Sequence, residues 1–412
     1  MTFDQLGLDA PILRAVKEAG YREPTPIQQQ AIGPVLAGRD IVGCAQTGTG
    51  KTAAFALPIL QRIDASAGDD PKIRALVLTP TRELAAQIGE SFKAYGKHLD
   101  LWHTVIFGGV AEGPQLRVLQ EGVDILVATP GRLLDLYNRG KVDLRGVEIF
   151  VLDEADRMLD QGFLPDVKRV IAGLPKQRQN LLFSATMPPE IQALADQMLK
   201  DPVSVAVAPE GATTADNIQQ RLYFVEKPDK PKLLLELLRG EGVNRTLVFS
   251  RTKHGANRVA ENLERAGLRA AAIHGNKSQN ARTRALDAFK KGELRVLVAT
   301  DLAARGIDID AVTHVINFDL PNIPETYVHR IGRTARAGNS GIALSMCDIE
   351  EREFLVDIER LLGRHIDRVE HELSSRGAPP PPTDLAGHGR SPGAKPSGSN
   401  GRRGGGGGGG GG

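Results

Sequence analysis

The chain has 412 residues, 41% of them hydrophobic, and a formal net charge of +2. That length exceeds one ordinary domain, and no apolar run approaches the ~20 residues needed to cross a bilayer. The near-neutral balance excludes a protein held on nucleic acid by a global positive field, and two cysteines, Cys44 and Cys347, are too few for a disulfide framework or a zinc site of their own.

The first twenty residues, MTFDQLGLDAPILRAVKEAG, are acidic and amphipathic. They are not a basic region followed by an apolar stretch, so no signal peptide is expected. A reducing cytoplasm fits. Next, the apolar DIVGC (40–44) runs into AQTGTGKT (45–52) and then the helical AAFALPIL (53–60). Strand, glycine-rich turn and helix in that order are the setting of a phosphate loop. Gly48 and Gly50 let the backbone approach phosphates, and the helix N-terminus favours anionic oxygens. Lys51 is expected to reach the β- and γ-phosphates and Thr52 to ligate Mg²⁺. Ala45 stands where the usual pattern has glycine. The bland alternative is a turn with a solvated lysine.

Short apolar runs then recur: ALVLTP (75–80), DILVATP (124–130), IFVLDEAD (149–156), NLLFSAT (180–186), TLVFS (246–250) and RVLVATD (295–301). Helical stretches such as TRELAAQIGESFKAYG (81–96) lie between them. This alternation predicts parallel sheets covered by helices. Polar residues at the strand ends mark the ligand-facing edge.

The run 147–160, VEIFVLDEADRMLD, stops at Asp153, Glu154 and Asp156. Asp153 is placed to hold Mg²⁺, and Glu154 to orient or deprotonate an attacking water. Asp156 is expected to link motifs. An acidic helix start would explain one of these acids, but less well the whole set beside a phosphate loop.

Residues 203–218, VSVAVAPEGATTADNI, are small and weakly periodic and predict a linker. Two α/β domains follow, at 1–205 and 218–368, with 206–217 joining them. In the second, RTKHGANR (251–258) stands at the strand-to-helix position comparable with the phosphate loop but lacks one, so ATP is expected on the first. YVHRIGRTARAG (327–338) carries Arg330, Arg333 and Arg336 at spacing three. Such a run is usually a solvated basic face. If the second domain closes on ATP, Arg333 and Arg336 could instead stabilise the charge of phosphoryl transfer.

From 369 the chain becomes a Pro- and Gly-rich tail, expected to be disordered. Residues 375–412 hold five basic residues against Asp384, a net +4, which leaves the remainder at −2.

With YREPTPIQ (21–28), AQTGTGKT, PTRELAAQ (80–87), Gly108-Gly109, TPGR (129–132), DEAD, SAT (184–186), LVFSRT (247–252), ATDLAARGID (299–308) and HRIGRTAR (329–336) in order, the chain resembles a DEAD-box RNA helicase of superfamily two over about residues 1–350. The RTARAG wording and glycine-rich tail most resemble the bacterial RhlE-like branch. The resemblance implies two tandem RecA-like domains. It implies an ATP site with Phe3 stacked on the base, Gln28 reading the adenine edge, and Ala45, Gln46, Thr47, Gly48, Thr49, Gly50, Lys51 and Thr52 around the phosphates. Gly306 and Asp308 would approach from the second domain. Ser184 and Thr186 would couple hydrolysis to closure. RNA would touch Pro80, Thr81, Arg82, Gly109, Thr129, Arg132, Arg282, Thr300 and Asp301, largely through phosphates and 2′-hydroxyls. Ala335 departs from the glycine common between the last arginines.

The expected activity is therefore an RNA-stimulated ATPase that unwinds short RNA duplexes or remodels RNA–protein complexes. The alternative is an ATP-gated RNA clamp with little unwinding. A monomer acting on RNA away from membranes is expected, with ribosome-assembly and RNA-decay complexes both open as partners.

Overall fold

The apolar runs become the central strands of two sheets. The computed structural model describes residues 1–45, 48–65, 72–206, 218–240, 242–304, 312–334 and 341–373. In the first half the strands are β1 (Ile41–Cys44), β2 (Ala75–Leu78), β3 (His103–Ile106), β4 (Ile125–Ala128), β5 (Ile149–Leu152), β6 (Gln179–Ser184) and β7 (Val203–Ala206). They form one parallel sheet in the order β3-β4-β2-β5-β6-β1-β7. The second half supplies β8 (Ile218–Phe224), β9 (Thr246–Phe249), β10 (Ala270–Ile273), β11 (Val296–Ala299), β12 (His314–Asn317), β13 (Gly341–Cys347) and β14 (Asp367–Arg368). Their order is β10-β11-β9-β12-β13-β8-β14, again all parallel.

The two orders are one topology: each strand of the second sheet takes the place of the strand seven numbers earlier. This corrects one reading of the sequence. RTKHGANR follows β9, so its counterpart is the segment after β2, PTRELAAQ. The counterpart of the phosphate loop follows β8 and is VEKPD (225–229). There Lys230 opens the helix Lys230–Leu238 as Lys51 opens Lys51–Ala65.

The central strands of each sheet are buried on both faces, and alternation along each strand divides its side chains between them. Val77, Val127 and Val151 enter one cluster with Phe55, Ile59 and Phe92. Their neighbours Leu76, Leu126 and Phe150 enter the opposite cluster with Leu133, Met158 and Val170. In the second half Val296 and Val298 face one cluster and Leu297 and Ala299 another. Local caps fix where helices begin. Thr81 accepts from Leu84 N at 3.3 Å to start Arg82–Tyr95, and Ser278 accepts from Ala281 N at 3.3 Å to start Gln279–Lys290.

The stretch predicted as linker begins later than its composition suggests. Val203–Ala206 pairs with β1 as the edge strand β7. Small residues there pack at an edge, where a strong apolar alternation is not required. The helices Arg82–Tyr95 and Gln279–Lys290 meet across the seam: Gln279 Nε2 donates to Glu83 Oε1 at 2.9 Å, and Arg282 Nη2 lies 3.0 Å from the same oxygen. Among the described residues no helix is long and apolar enough to cross a membrane. The predicted tail lies outside the described residues from 374 onward.

Candidate functional site

The C-terminal ends of β1, β5 and β6, neighbours in the order β5-β6-β1, bring the phosphate loop and the acids together. Ala45 is buried at the loop's start, and Lys51 Nζ donates to its carbonyl at 2.8 Å. Gly48 and Gly50 both have φ of 90°, open only to glycine at low cost. A Cβ on Gly50 would also strike the Gln28 amide. Thr49 and Thr52 are half-buried beside them, and Gln46 and Thr47 lie outside the described residues.

Asp153 is 2% exposed, with Oδ1 accepting from Glu154 N at 3.0 Å. Burial pushes its carboxyl up to about 6, against the opposing pull of Lys51. A buried carboxylate whose charge is this poorly offset suits a divalent cation, and the Thr52 hydroxyl at the helix start adds an oxygen donor of the kind Mg²⁺ takes. The described residues hold no cluster of three or more His, Cys, Asp or Glu that could bind a metal alone.

Glu154 has φ 54° and ψ 52°, a left-handed conformation for a residue with a side chain. Such strain costs on the order of 1 kcal/mol and clusters at functional sites. The Glu154 carboxylate meets Arg157 Nη1 at 2.5 Å, with both side chains buried. Asp156 is the link expected of it: its N–H donates to Ser184 Oγ at 3.1 Å, and Oδ2 accepts from Thr186 N and Oγ1, each at 3.0 Å.

Gln28 is 1% exposed and has both ends engaged. Oε1 accepts from Thr25 N at 3.0 Å, and Nε2 donates to Gly50 O at 3.1 Å. It therefore ties the YREPTPIQ segment to the phosphate loop. Phe3 is buried and packs edge-on to Tyr21, ring centroids 6.4 Å apart. Cys44 is half-buried, and its Sγ lies 3.5 Å from Ala185 O.

In the second half Arg330 and Arg333 do not form a solvated face. Arg330 is 1% exposed; it grips both oxygens of Asp301 at 2.5 and 2.8 Å and reaches Asn317 Oδ1 at 3.1 Å. Asp301, expected at RNA, thus has its carboxylate turned to Arg330, while Thr300 is half-buried beside it. Arg333 is buried, with Nε donating to His329 O at 3.3 Å. Gly306, Asp308 and Arg336 lie outside the described residues. Lys230, the counterpart of Lys51, is 1% exposed and sealed by acids, Glu351 at 2.6 Å and Asp348 at 3.0 Å.

The expected RNA residues of the first half gather around one loop. Pro80 and Thr81 are buried at the end of β2, and Thr129 is buried at the start of Pro130–Asn138. Gly109 has φ 75°, and a Cβ there would strike the Arg82 guanidinium. Arg132 Nη2 donates to Val110 O at 3.2 Å. Burial disfavours the charge of Arg82, and Arg282 and Arg132 push the same way against Glu83. Arg132 Nη1 and Arg282 Nε are buried donors with no partner among the described residues. Phosphate oxygens would satisfy both.

Sequence reasoning missed Glu83, Gln279 and Arg157. Glu83 reads as an ordinary acid in a first helical turn, and Arg157 as a solvated helix residue. The spacing of Gln279 and Arg282, three apart on one helix face, was the available signal for the seam.

Two sheets of one topology, the first carrying a phosphate loop and strand-end carboxylates, define a nucleotide hydrolase of paired RecA-like halves. The DEAD/DEAH box helicase family matches residues 25–194, and the helicase conserved C-terminal domain matches 229–338. The ATP-dependent RNA helicase CshA of Limosilactobacillus reuteri is 45% identical over 363 residues, covering 88% of this chain and 72% of that protein. Among solved structures, S. cerevisiae Dbp5 bound to RNA and ADP BeF3 superposes with a TM-score of 0.80 at 34% identity, over 89% of this chain and 95% of Dbp5. A DEAD box protein from the hyperthermophile Methanococcus jannaschii is 39% identical over 90% of this chain and 99% of its own, with a TM-score of 0.53. The chain belongs to the DEAD-box ATP-dependent RNA helicase family.

Proposed function

We propose that the chain is an RNA-stimulated ATPase that separates short RNA duplexes, or displaces proteins from RNA, by closing its two halves on ATP and RNA. One observation carries this reading: the halves are already engaged through Glu83, Gln279 and Arg282. In keeping with that, the whole arrangement is more like RNA- and nucleotide-bound Dbp5 than like the M. jannaschii protein, although the latter is the closer in sequence.

ATP would be held by the first half, since the matching lysine of the second, Lys230, is occupied by its own acids. Lys51 and the loop around Gly48 and Gly50 would cradle the phosphates, with Phe3 and Gln28 at the adenine end. Thr52 and Asp153 would hold Mg²⁺, which when bound supplies charge neutralisation on the phosphate oxygens. Glu154 would orient the attacking water and take its proton. Arg157 fixes the carboxylate that does so. Arg333 and Arg336 would meet the developing charge from the second half, with Gly306 and Asp308 beside the nucleotide. Asp156 passes the state of the acids to Ser184 and Thr186.

On the RNA side, Thr81, Arg82, Gly109, Thr129 and Arg132 of the first half and Thr300 of the second would follow the phosphates. Arg282 would serve both the seam and the strand, and Asp301 would act through Arg330. Bending one strand out of A-form geometry across both halves releases its complement. The working division is 1–205 and 218–368, joined by 206–217, with 369–412 as a basic tail that gathers RNA. We assign the protein to the RhlE-like branch on its RTARAG wording and tail, and to the cytoplasm as a monomer. Phosphate release measured with and without RNA tests the proposal: strong stimulation is expected, and a rate indifferent to RNA would refute it.

A further inference from the structure

In the second half, the place that corresponds to the phosphate site is filled by the protein's own carboxylates. Lys230 stands where Lys51 stands, and Asp319 lies two residues past β12 as Glu154 lies two past β5. Around Lys230 Nζ gather Glu351 Oε2 at 2.6 Å, Asp348 Oδ2 at 3.0 Å and Asp319 Oδ1 at 3.8 Å. Lys230 and Glu351 are each 1% exposed. Burying such a group is weak evidence for stability, because desolvation offsets the attraction between the charges.

The other oxygen of Glu351 leads elsewhere. Oε1 meets Arg251 and accepts from Leu320 N at 3.1 Å. The same peptide group has its carbonyl on the arginine helix: Asp319 O accepts from Arg330 Nη1 at 2.6 Å. One peptide unit therefore stands between Glu351 and Arg330. The Asp319 side chain anchors it again, with Oδ2 accepting from Ser250 Oγ at 2.8 Å and from Arg251 N at 2.9 Å. Hydrogen bonds joined through one peptide polarise each other, so an anion on the N–H strengthens the carbonyl as an acceptor. Arg330 also holds both oxygens of Asp301, and Arg333 N donates to Arg330 O at 3.1 Å.

We propose that Glu351 is a positioning residue for ATP hydrolysis. It pins the Asp319–Leu320 peptide, and through it Arg330, so that the helix Pro324–Ile331 presents Arg333 to a nucleotide held by the first half. The phosphate place of the second half thus serves as the mount of an arginine used by the first. This rests on the reading of Arg333 as the residue that meets the developing charge.

Two variants of the full chain separate this from a packing role. Glu351→Gln keeps an oxygen for Leu320 N, whereas Glu351→Met fills similar space without an acceptor. Lys230 keeps Asp348 in both. RNA-stimulated kcat of Glu351→Gln should stay within about threefold of wild type, and that of Glu351→Met should fall about tenfold below it, since a buried N–H is left unpaired. KM for ATP should agree within about twofold between the two, because a group acting on the chemical step alone moves kcat. Thermal unfolding reports whether each variant folds. If Glu351→Met does not, Glu351→Asp takes its place: it keeps the charge beside Lys230 and draws the carboxylate back from Leu320 N, with the same loss expected. Equal kcat in the two variants, or a loss carried by KM, overturns the positioning role. Normal hydrolysis by Arg333→Ala would instead sink the reading of Arg333 beneath it.

Discussion

Arg282 of the second half pairs with Glu83 of the first at 3.0 Å, and the two side chains are only 13% and 6% exposed. The pair is formed across the seam, so its two charges are desolvated when the halves meet and hydrated when they part. Gln279 shares the same carboxylate. One acid therefore satisfies two groups of the opposite half and becomes a gauge of closure.

Glu83→Ala should leave ATP binding to the first half intact while lowering RNA-stimulated hydrolysis by about tenfold or more. Removing one partner of a buried pair costs several kcal/mol through the charge left behind. Phosphate release at saturating RNA reads this directly. An unchanged maximal rate would make the seam contacts incidental.

Glu154→Gln should bind ATP with near-normal affinity, lose hydrolysis by about a hundredfold or more, and stay closed on RNA. The strained φ of 54° places this side chain at the end of β5 beside Asp153. Single-turnover hydrolysis and RNA dissociation rates check the two halves of the expectation. Normal turnover would remove Glu154 from the chemistry.

Much of this site is legible in the amino-acid sequence. The strands ALVL, ILVA, IFVL and VLVA fall where unbroken apolar runs place them, since a strand buried on both faces must read that way. The phosphate loop and acids are legible because their chemistry demands particular residue types. His103–Ile106 and Val203–Ala206 are not, being edge strands with weak patterns. Nor are the partners of Arg282, Asp301 and Arg330, because a charged side chain carries no mark of whether it faces solvent, RNA or a buried acid. Placing RTKHGANR opposite the phosphate loop fails for a topological reason, as strand order is set by non-local pairing.

Gln28→Ala should weaken ATP binding about tenfold by leaving Thr25 N and Gly50 O without their partner. The preference for ATP over GTP should narrow as well. Equal losses for both nucleotides would mean that Gln28 only braces the phosphate loop and does not read adenine.

Asp153 gives a pH signature in protein free of nucleotide and Mg²⁺. Its carboxyl rises from the usual 3.8 to about 6 through burial. Between about pH 4 and 6 the native state then binds more protons than the unfolded one, so stability from this group falls as pH rises through that window. Asp153→Asn should gain stability over wild type across it, by up to about 3 kcal/mol. Denaturant midpoints of both proteins at either end of the window measure the difference. A constant gap would contradict the buried, uncompensated carboxylate.

The central claim is that ATP-driven closure on RNA separates strands. Its most direct measurement is release of a labelled strand from a short RNA duplex, compared with an all-DNA duplex of the same sequence. ATP should drive release from the RNA duplex by wild type, and Glu83→Ala should impair it. The DNA duplex, lacking 2′-hydroxyls, should stay paired. Release that ignores ATP, or that proceeds equally on DNA, would contradict the account.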